Sequence, residues 1–243
     1  MAHIHIPVTT CYDAITRCKY FPNWREQRIT IPVAIFPGCL PFFVVDTRKR
    51  RPYPLIWDEQ QQMVLALPAH LAEMALYAVN TGCRDAEICN LRWDWEVKVT
   101  TLETFVFIVP GEFVKNGDER LVVLNDITRS VVNARRGKHP TYVFAYKGKP
   151  ITTMLNSSWC RVRRNLGLEQ VRVHDLKHTF GRRLRAAGVS FEDRQDLLGH
   201  RSGRMTTHYS AAELSNLIEA ANSVCERSGN KPELVVLRRI SVS

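Results

Sequence analysis

The spacing of hydrophobic positions changes along the chain, and those changes mark its elements. Residues 1 to 50 carry scattered prolines, with no sustained 3.6-residue repeat and no clear strand alternation. The most apolar run there, ITIPVAIFPGCLPFFVV at 29–45, is uncharged, but Pro32, Pro37 and Pro41 interrupt it and it is short for a membrane-spanning helix. The basic run RKRRPYP at 48–54 reads as a linker, because its cations resist burial and its prolines stiffen the exit. From Trp57 a helical period sets in. WDEQQQMVLALP predicts a short helix with acids in its first turn. Pro68 opens PAHLAEMALYAVN as a second helix, the pair Thr81-Gly82 stops it, and RDAEICNLRW is helical again. Between residues 95 and 124 the spacing changes: WEVKV, TFVFIVP and ERLVVLN are β-branched and aromatic, separated by turn residues including KNGD. That predicts a small antiparallel sheet of three strands. DITRSVVNARRG predicts a helix, TYVFAY a brief strand and TTMLNSSWCRVRRNLG a basic helix. HDLKHTFGRRLRAAG and FEDRQDLLGH are two more helices, broken at Gly188; AAELSNLIEAANSVCER is a last amphipathic helix, and PELVVLRRISVS predicts a strand in the tail. The fold class is therefore α+β and mainly helical.

Composition narrows the function. A chain of 243 residues with 45% hydrophobic content can build one good-sized core. Lysine and arginine number 34 against 24 acids, a net charge of +10, which favours a polyanionic partner, nucleic acid being the commonest. The seven cysteines are odd in number and contain no CxxC pair, which argues against a disulfide framework and a zinc ribbon and for reduced thiols in the cytoplasm. No metal and no cofactor is expected. The start MAHIHIPVTT lacks the basic region and apolar run of a secretory signal.

Candidate chemistry concentrates in a few places, and each residue alone has an ordinary reading. Arg84 and Glu87, three apart, suit a surface ion pair on one helix face. His174 and Lys177 in VHDLKHTF suit a solvated helix face, with Asp175 a first-turn acid and His178 a packing residue. His200 follows a helix-ending glycine, where a histidine complements the helix dipole. Tyr209 suits a half-buried core position.

Their order along the chain is harder to explain one residue at a time. TGCRDAEICNLRW, VKNGDERLVVL, HDLKHTFGRRLRAAG and LLGHRSGRMTTHYSAAEL follow one another over roughly residues 52–226. This succession resembles the catalytic domain of the tyrosine recombinases, the phage-integrase family. The resemblance implies a catalytic domain over 52–227, preceded by an atypical segment at 1–51 and followed by a tail at 228–243. It implies cleavage and rejoining of double-stranded DNA through a 3′-phosphotyrosyl link, serving integration or excision of mobile DNA. Tyr209 would be the nucleophile, Arg84 a clamp on a non-bridging oxygen and Lys115 the proton donor to the leaving 5′-oxygen. His174 and His200 would bind the phosphate or assist proton transfer, and Glu87 would orient Arg84. Around them Arg161, Arg163, Arg164, Arg172, Arg182 and Arg183 would position the DNA backbone. The family assembles as tetramers on DNA through C-terminal segments, with an accessory DNA-bending protein as a further partner.

Two departures qualify the resemblance. The family's second box is His-x-x-Arg, whereas this chain has Lys177, a point charge on a flexible stem in place of a planar fork. The fifty residues before Pro52 do not read as the helical core-binding domain usual in the family, which suggests a truncated protein that only binds DNA as the alternative.

Overall fold

The computed structural model describes residues 50–200 and 209–225. The expectations for the N-terminal segment up to residue 49 and for the tail, with its strand, lie outside the described residues. Elements follow in the order α1 (Trp57–Ala66), α2 (Ala69–Thr81), α3 (Asp85–Cys89), β1 (Glu96–Val99), β2 (Thr104–Val109), β3 (Arg120–Val122) and α4 (Asp126–Asn133). They continue with β4 (Ala145–Tyr146), β5 (Lys149–Pro150), α5 (Ser157–Asn165), α6 (Val173–Ala186), α7 (Phe191–Leu198) and α8 (Ala211–Asn222).

α2 is the central helix. From Leu71 to Thr81 nearly every side chain is buried, as expected of a helix apolar on all sides. It packs against α1, α4 and α6. Gly82 ends it in the left-handed region at φ +62°, where a Cβ would lie 2.9 Å from both Leu198 and Phe180. The helix end therefore seats directly on α6 and α7.

The sheet has the order β1-β2-β3, all antiparallel, with Phe107 opposite both Glu96 and Val122. The two-residue alternation of its strands feeds two cores. Phe107, Val109, Val122 and Leu124 join the larger cluster built on α2, while Val106, Leu121 and Val123 join a second with Phe180, Leu184, Leu197 and Leu217. β4 and β5 form a separate two-stranded hairpin.

Three expectations are corrected. The linker is not free at its end: Tyr53 N–H donates to Asp175 Oδ1 at 3.2 Å and Leu55 N–H to Thr179 Oγ1 at 3.0 Å, which fastens 53–55 to α6. RDAEICNLRW is helical only to Cys89, because Leu91 and Trp93 turn aside to bond residues 141–143. TTMLN is not helical either. Thr153 Oγ1 and Met154 N–H donate to the Asp85 carboxylate at 2.6 and 2.8 Å, and Asn156 caps α5 by accepting from Trp159 N–H at 3.0 Å.

Candidate active site

The site forms where the C-terminal ends of α2 and α7 meet the N-terminal half of α6. Glu87, on the short helix α3, is its buried centre, 1% exposed. Its carboxylate accepts the Arg84 N–H at 2.9 Å and Arg84 Nη1 at 2.7 Å. The sequence supplies this geometry by placing the acid at the third position after the arginine that opens the helix. From the other side Arg120, the first residue of β3, donates Nη1 to Glu87 Oε2. Its Nη2 reaches the Thr81 carbonyl at 3.0 Å and the Leu197 carbonyl at 3.1 Å. Burial disfavours the Glu87 carboxylate, but Arg120 and Arg84 outweigh it and hold the carboxyl below its usual range.

α6 contributes His174, Lys177 and His178. Lys177 is 5% exposed, and its Nζ donates to the Leu198 carbonyl. Burial, followed by repulsion from Arg120 and Arg84, lowers its pKa to about 7. His174 and His178 meet edge to face with ring centroids 4.7 Å apart. His200 follows Gly199, the left-handed C-cap of α7 at φ +58°. All three histidines are pushed below their ordinary pKa, first by burial. Lys177, Arg84 and Arg120 then add to the effect on His200. Two arginines and a lysine thus crowd one carboxylate, beside histidines whose protonation is disfavoured. Such a cluster is short of negative charge.

The structure brings Arg84, Glu87, His174, Lys177 and His200 together. Lys115 lies on the exposed turn between β2 and β3, outside the hydrogen-bonded cluster. Tyr209 is half-buried against the second core and stands just before α8. That helix is fixed at both ends. Ser210 and Glu213 cap its start reciprocally, at 3.2 and 2.8 Å, while Asn125 Nδ2 donates to the Ala221 carbonyl at 3.3 Å. Residues 201–208, between His200 and Tyr209, are outside the described residues.

The six arginines named as backbone contacts separate. Arg161, Arg164 and Arg182 are exposed, and Arg172 is half-buried and paired with Asp175 at 3.1 Å. Arg163 is turned inward, donating to the carbonyls of Glu169 and Val171. Arg183 is corrected outright: it is 5% exposed, lies 3.5 Å over the Trp57 ring and donates to Gln60 Oε1 at 2.6 Å, so it cannot reach DNA from this position. Sequence reasoning missed Arg120 as a member of the cluster. Asp175 is more than a first-turn acid, since its buried carboxylate binds Arg172 and the backbone of Tyr53.

A helical frame around a three-stranded sheet, with a cationic cluster at one edge, defines the class to which known proteins can be compared. The profile of the phage integrase family matches residues 56–215. The chain belongs to that family. It is 27% identical over 179 residues to the integrase of Salmonella phage P22, a match covering 68% of this chain and 45% of the relative. It is 29% identical over 226 residues to an integrase/recombinase of Sinorhizobium fredii, covering 88% of this chain and 66% of that one. The chain thus spans about half to two thirds of these relatives' lengths. In fold it is similar to the integrase from mycobacterium phage Brujita, with a TM-score of 0.51, 20% identity and coverage of 72% of this chain and 60% of that one. A lambda integrase bound as a dimer to a COC′ core site gives a TM-score of 0.50 at 20% identity, covering 67% and 62%.

Proposed function

We propose that this chain is the catalytic part of a site-specific DNA recombinase, cleaving and rejoining strands of mobile DNA. Tyr209 Oη attacks the scissile phosphorus, the bond to the 5′-oxygen breaks, and a 3′-phosphotyrosyl link forms. Arg84 takes a non-bridging oxygen, with Glu87 holding its guanidinium. His174 and His200 bind the phosphate or take up the phenolic proton that Tyr209 gives up, and Lys115, from its exposed turn, delivers a proton to the leaving 5′-oxygen. Rejoining reverses these steps on a new 5′-hydroxyl, so the phosphodiester energy is conserved and no metal or nucleotide is called for.

The observation that carries this reading is the charge balance of the cluster. Arg84, Arg120 and Lys177 converge around the single Glu87 carboxylate, and a cluster so short of negative charge gains most from an incoming anion. A phosphodiester in attack brings negative charge to its equatorial oxygens. The exposed Arg161, Arg164 and Arg182 and the half-buried Arg172 are suited to backbone phosphates. The active form is a tetramer on DNA in the cytoplasm, joined through C-terminal segments and assisted by a DNA-bending protein. Residues 52–227 are its catalytic domain.

One observation favours a second reading, a protein that binds DNA without cleaving it. Lys177 stands where the family has arginine, yet its Nζ is engaged by the Leu198 carbonyl. Covalent trapping separates the two. Protein is incubated with DNA from its source, denatured and digested, and the Tyr209 peptide is weighed for a nucleotide adduct. An adduct that disappears in Tyr209→Phe, with DNA binding intact, is the expected result. An adduct seen only in Lys177→Arg supports the second reading for the native chain.

A further inference from the structure

Arg120 is the most heavily bonded cation of the cluster, and the reaction just described leaves it without a role. It is 2% exposed, too deep to touch DNA. Its guanidinium joins three elements that are distant in sequence. Nη1 binds Glu87 on α3, and Nη2 binds the last turn of α2 at the Thr81 carbonyl and the last turn of α7 at the Leu197 carbonyl. Two of these attachments lead on to groups assigned above to the phosphate. Glu87 also holds Arg84, through both its guanidinium and its backbone N–H. Leu197 lies three residues before His200, on the turn that Gly199 makes.

The turn is shaped around this arginine. A Cβ at Gly199 would run into Arg120 Nε and lie 2.5 Å from its Cδ, closer than side-chain carbons tolerate. A glycine is needed there twice over, for the left-handed φ of +58° and for the room. Lys177 grips the next carbonyl, that of Leu198. Two buried cations, from β3 and α6, therefore occupy consecutive carbonyls at the end of α7, groups that a helix C-terminus otherwise leaves unpaired.

We infer that Arg120 is a positioning residue for strand cleavage, locking Arg84 through Glu87 and His200 through the α7 C-terminus so that both address one phosphate. The inference rests on the proposed recombinase reading. Arginine is required because three acceptors in different directions need a planar fork. Lysine at 120 keeps the charge and can satisfy only part of the set. The same charge with poorer alignment should leave DNA affinity in place and slow the chemical step, since a displacement of about 1 Å in a reacting group costs about a hundredfold.

The test uses the full chain. The duplex sequence is recovered from wild-type Tyr209 adducts, and single-turnover cleavage is then timed at saturating protein. Binding of the same duplex and thermal melting are measured alongside. Arg120→Lys should be folded and bind the duplex within about twofold of wild type, while cleaving about a hundredfold more slowly. Glu87→Gln should slow cleavage as well. The double variant should be no slower than the worse single one, because both act through the same link to Arg84. Gly199→Ala, which disturbs the arginine without replacing it, should reproduce the kinetic defect. Cleavage by Arg120→Lys at the wild-type rate overturns the inference and leaves the recombinase reading standing. A rate that falls only in proportion to lost folded protein or lost binding also overturns it, by reducing Arg120 to scaffolding. Absence of any wild-type adduct removes the recombinase reading itself, and this role with it.

Discussion

Arg120 and Arg183 are both arginines buried to 2% and 5% exposure, and they do opposite things. Arg120 sits under the candidate active site and reaches a carboxylate and two carbonyls. Arg183 sits in the seam between α6 and α1, its guanidinium over the Trp57 ring, with one hydrogen bond to Gln60. Its Nε and Nη2 have no hydrogen-bond partner, and burial pushes its pKa down to about 10, still fully charged at neutral pH. The first arginine is held by charge and direction, the second by an aromatic plate and its own aliphatic stem. Burial alone therefore says little about an arginine's purpose. What separates the two is whether its removal strands another charge.

The sharpest way to break the contrast is to remove each guanidinium. Arg120→Met leaves the buried Glu87 carboxylate with Arg84 alone and should cost about 3–5 kcal/mol in urea unfolding. Second in size is a pH effect at Lys177. The folded lysine titrates at about 7, and the unfolded one at its ordinary 10.5. Below about 7 both states hold the proton and the full cost of burying the cation is felt. Between those two values the unfolded chain holds the extra proton, so stability should rise with pH, at up to ~1.4 kcal/mol per unit. Urea melts at pH 6.5 to 9.5 should show this limb in the native chain and lose it in Lys177→Met. Gly199→Ala forces a Cβ into the left-handed region and should cost about 1–2 kcal/mol before the contact with Arg120 is counted. Smallest is Arg183→Met, which keeps the apolar stem against Trp57 and discards a poorly satisfied cation. Its change should stay within about 1 kcal/mol of zero by thermal melting. A loss as large as that of Arg120→Met would erase the distinction between the two sites.

Much of this was legible before any coordinates. The three strands declared themselves through β-branched and aromatic positions with turns between, and α2 through the proline that opens it and the Thr81-Gly82 pair that stops it. Arg84, Glu87, His174, Lys177 and His200 were legible as a set because their motifs follow one another in a known order. The misplaced boundaries have a common cause. TTMLN has nothing against a helix locally, but Asp85, about seventy residues earlier, captures Thr153 and Met154 and holds them extended. Arg120 was invisible for the same reason. In ERLVVL it reads as one more charge at the start of a strand, and its partners are 33, 39 and 77 residues away. Arg183 misled in the opposite sense, since nothing in GRRLRAAG distinguishes an exposed arginine from one that a distant Trp57 covers.

The acceptors at 81, 197 and 198 are main-chain carbonyls, and this has a consequence for how the protein tolerates change. A carbonyl belongs to the backbone and is not rewritten when a codon is. Substitutions at Thr81, Leu197 or Leu198 alter packing but leave the oxygen that Arg120 or Lys177 needs. The burden of error shifts to the positions that steer the backbone, Gly82 and Gly199, and to the two cations themselves. In a library covering every position, loss of this wiring should gather at those four residues, while replacements at their oxygen-bearing neighbours act through packing alone. The wiring of the site is thus written partly in atoms that single-residue drift cannot delete.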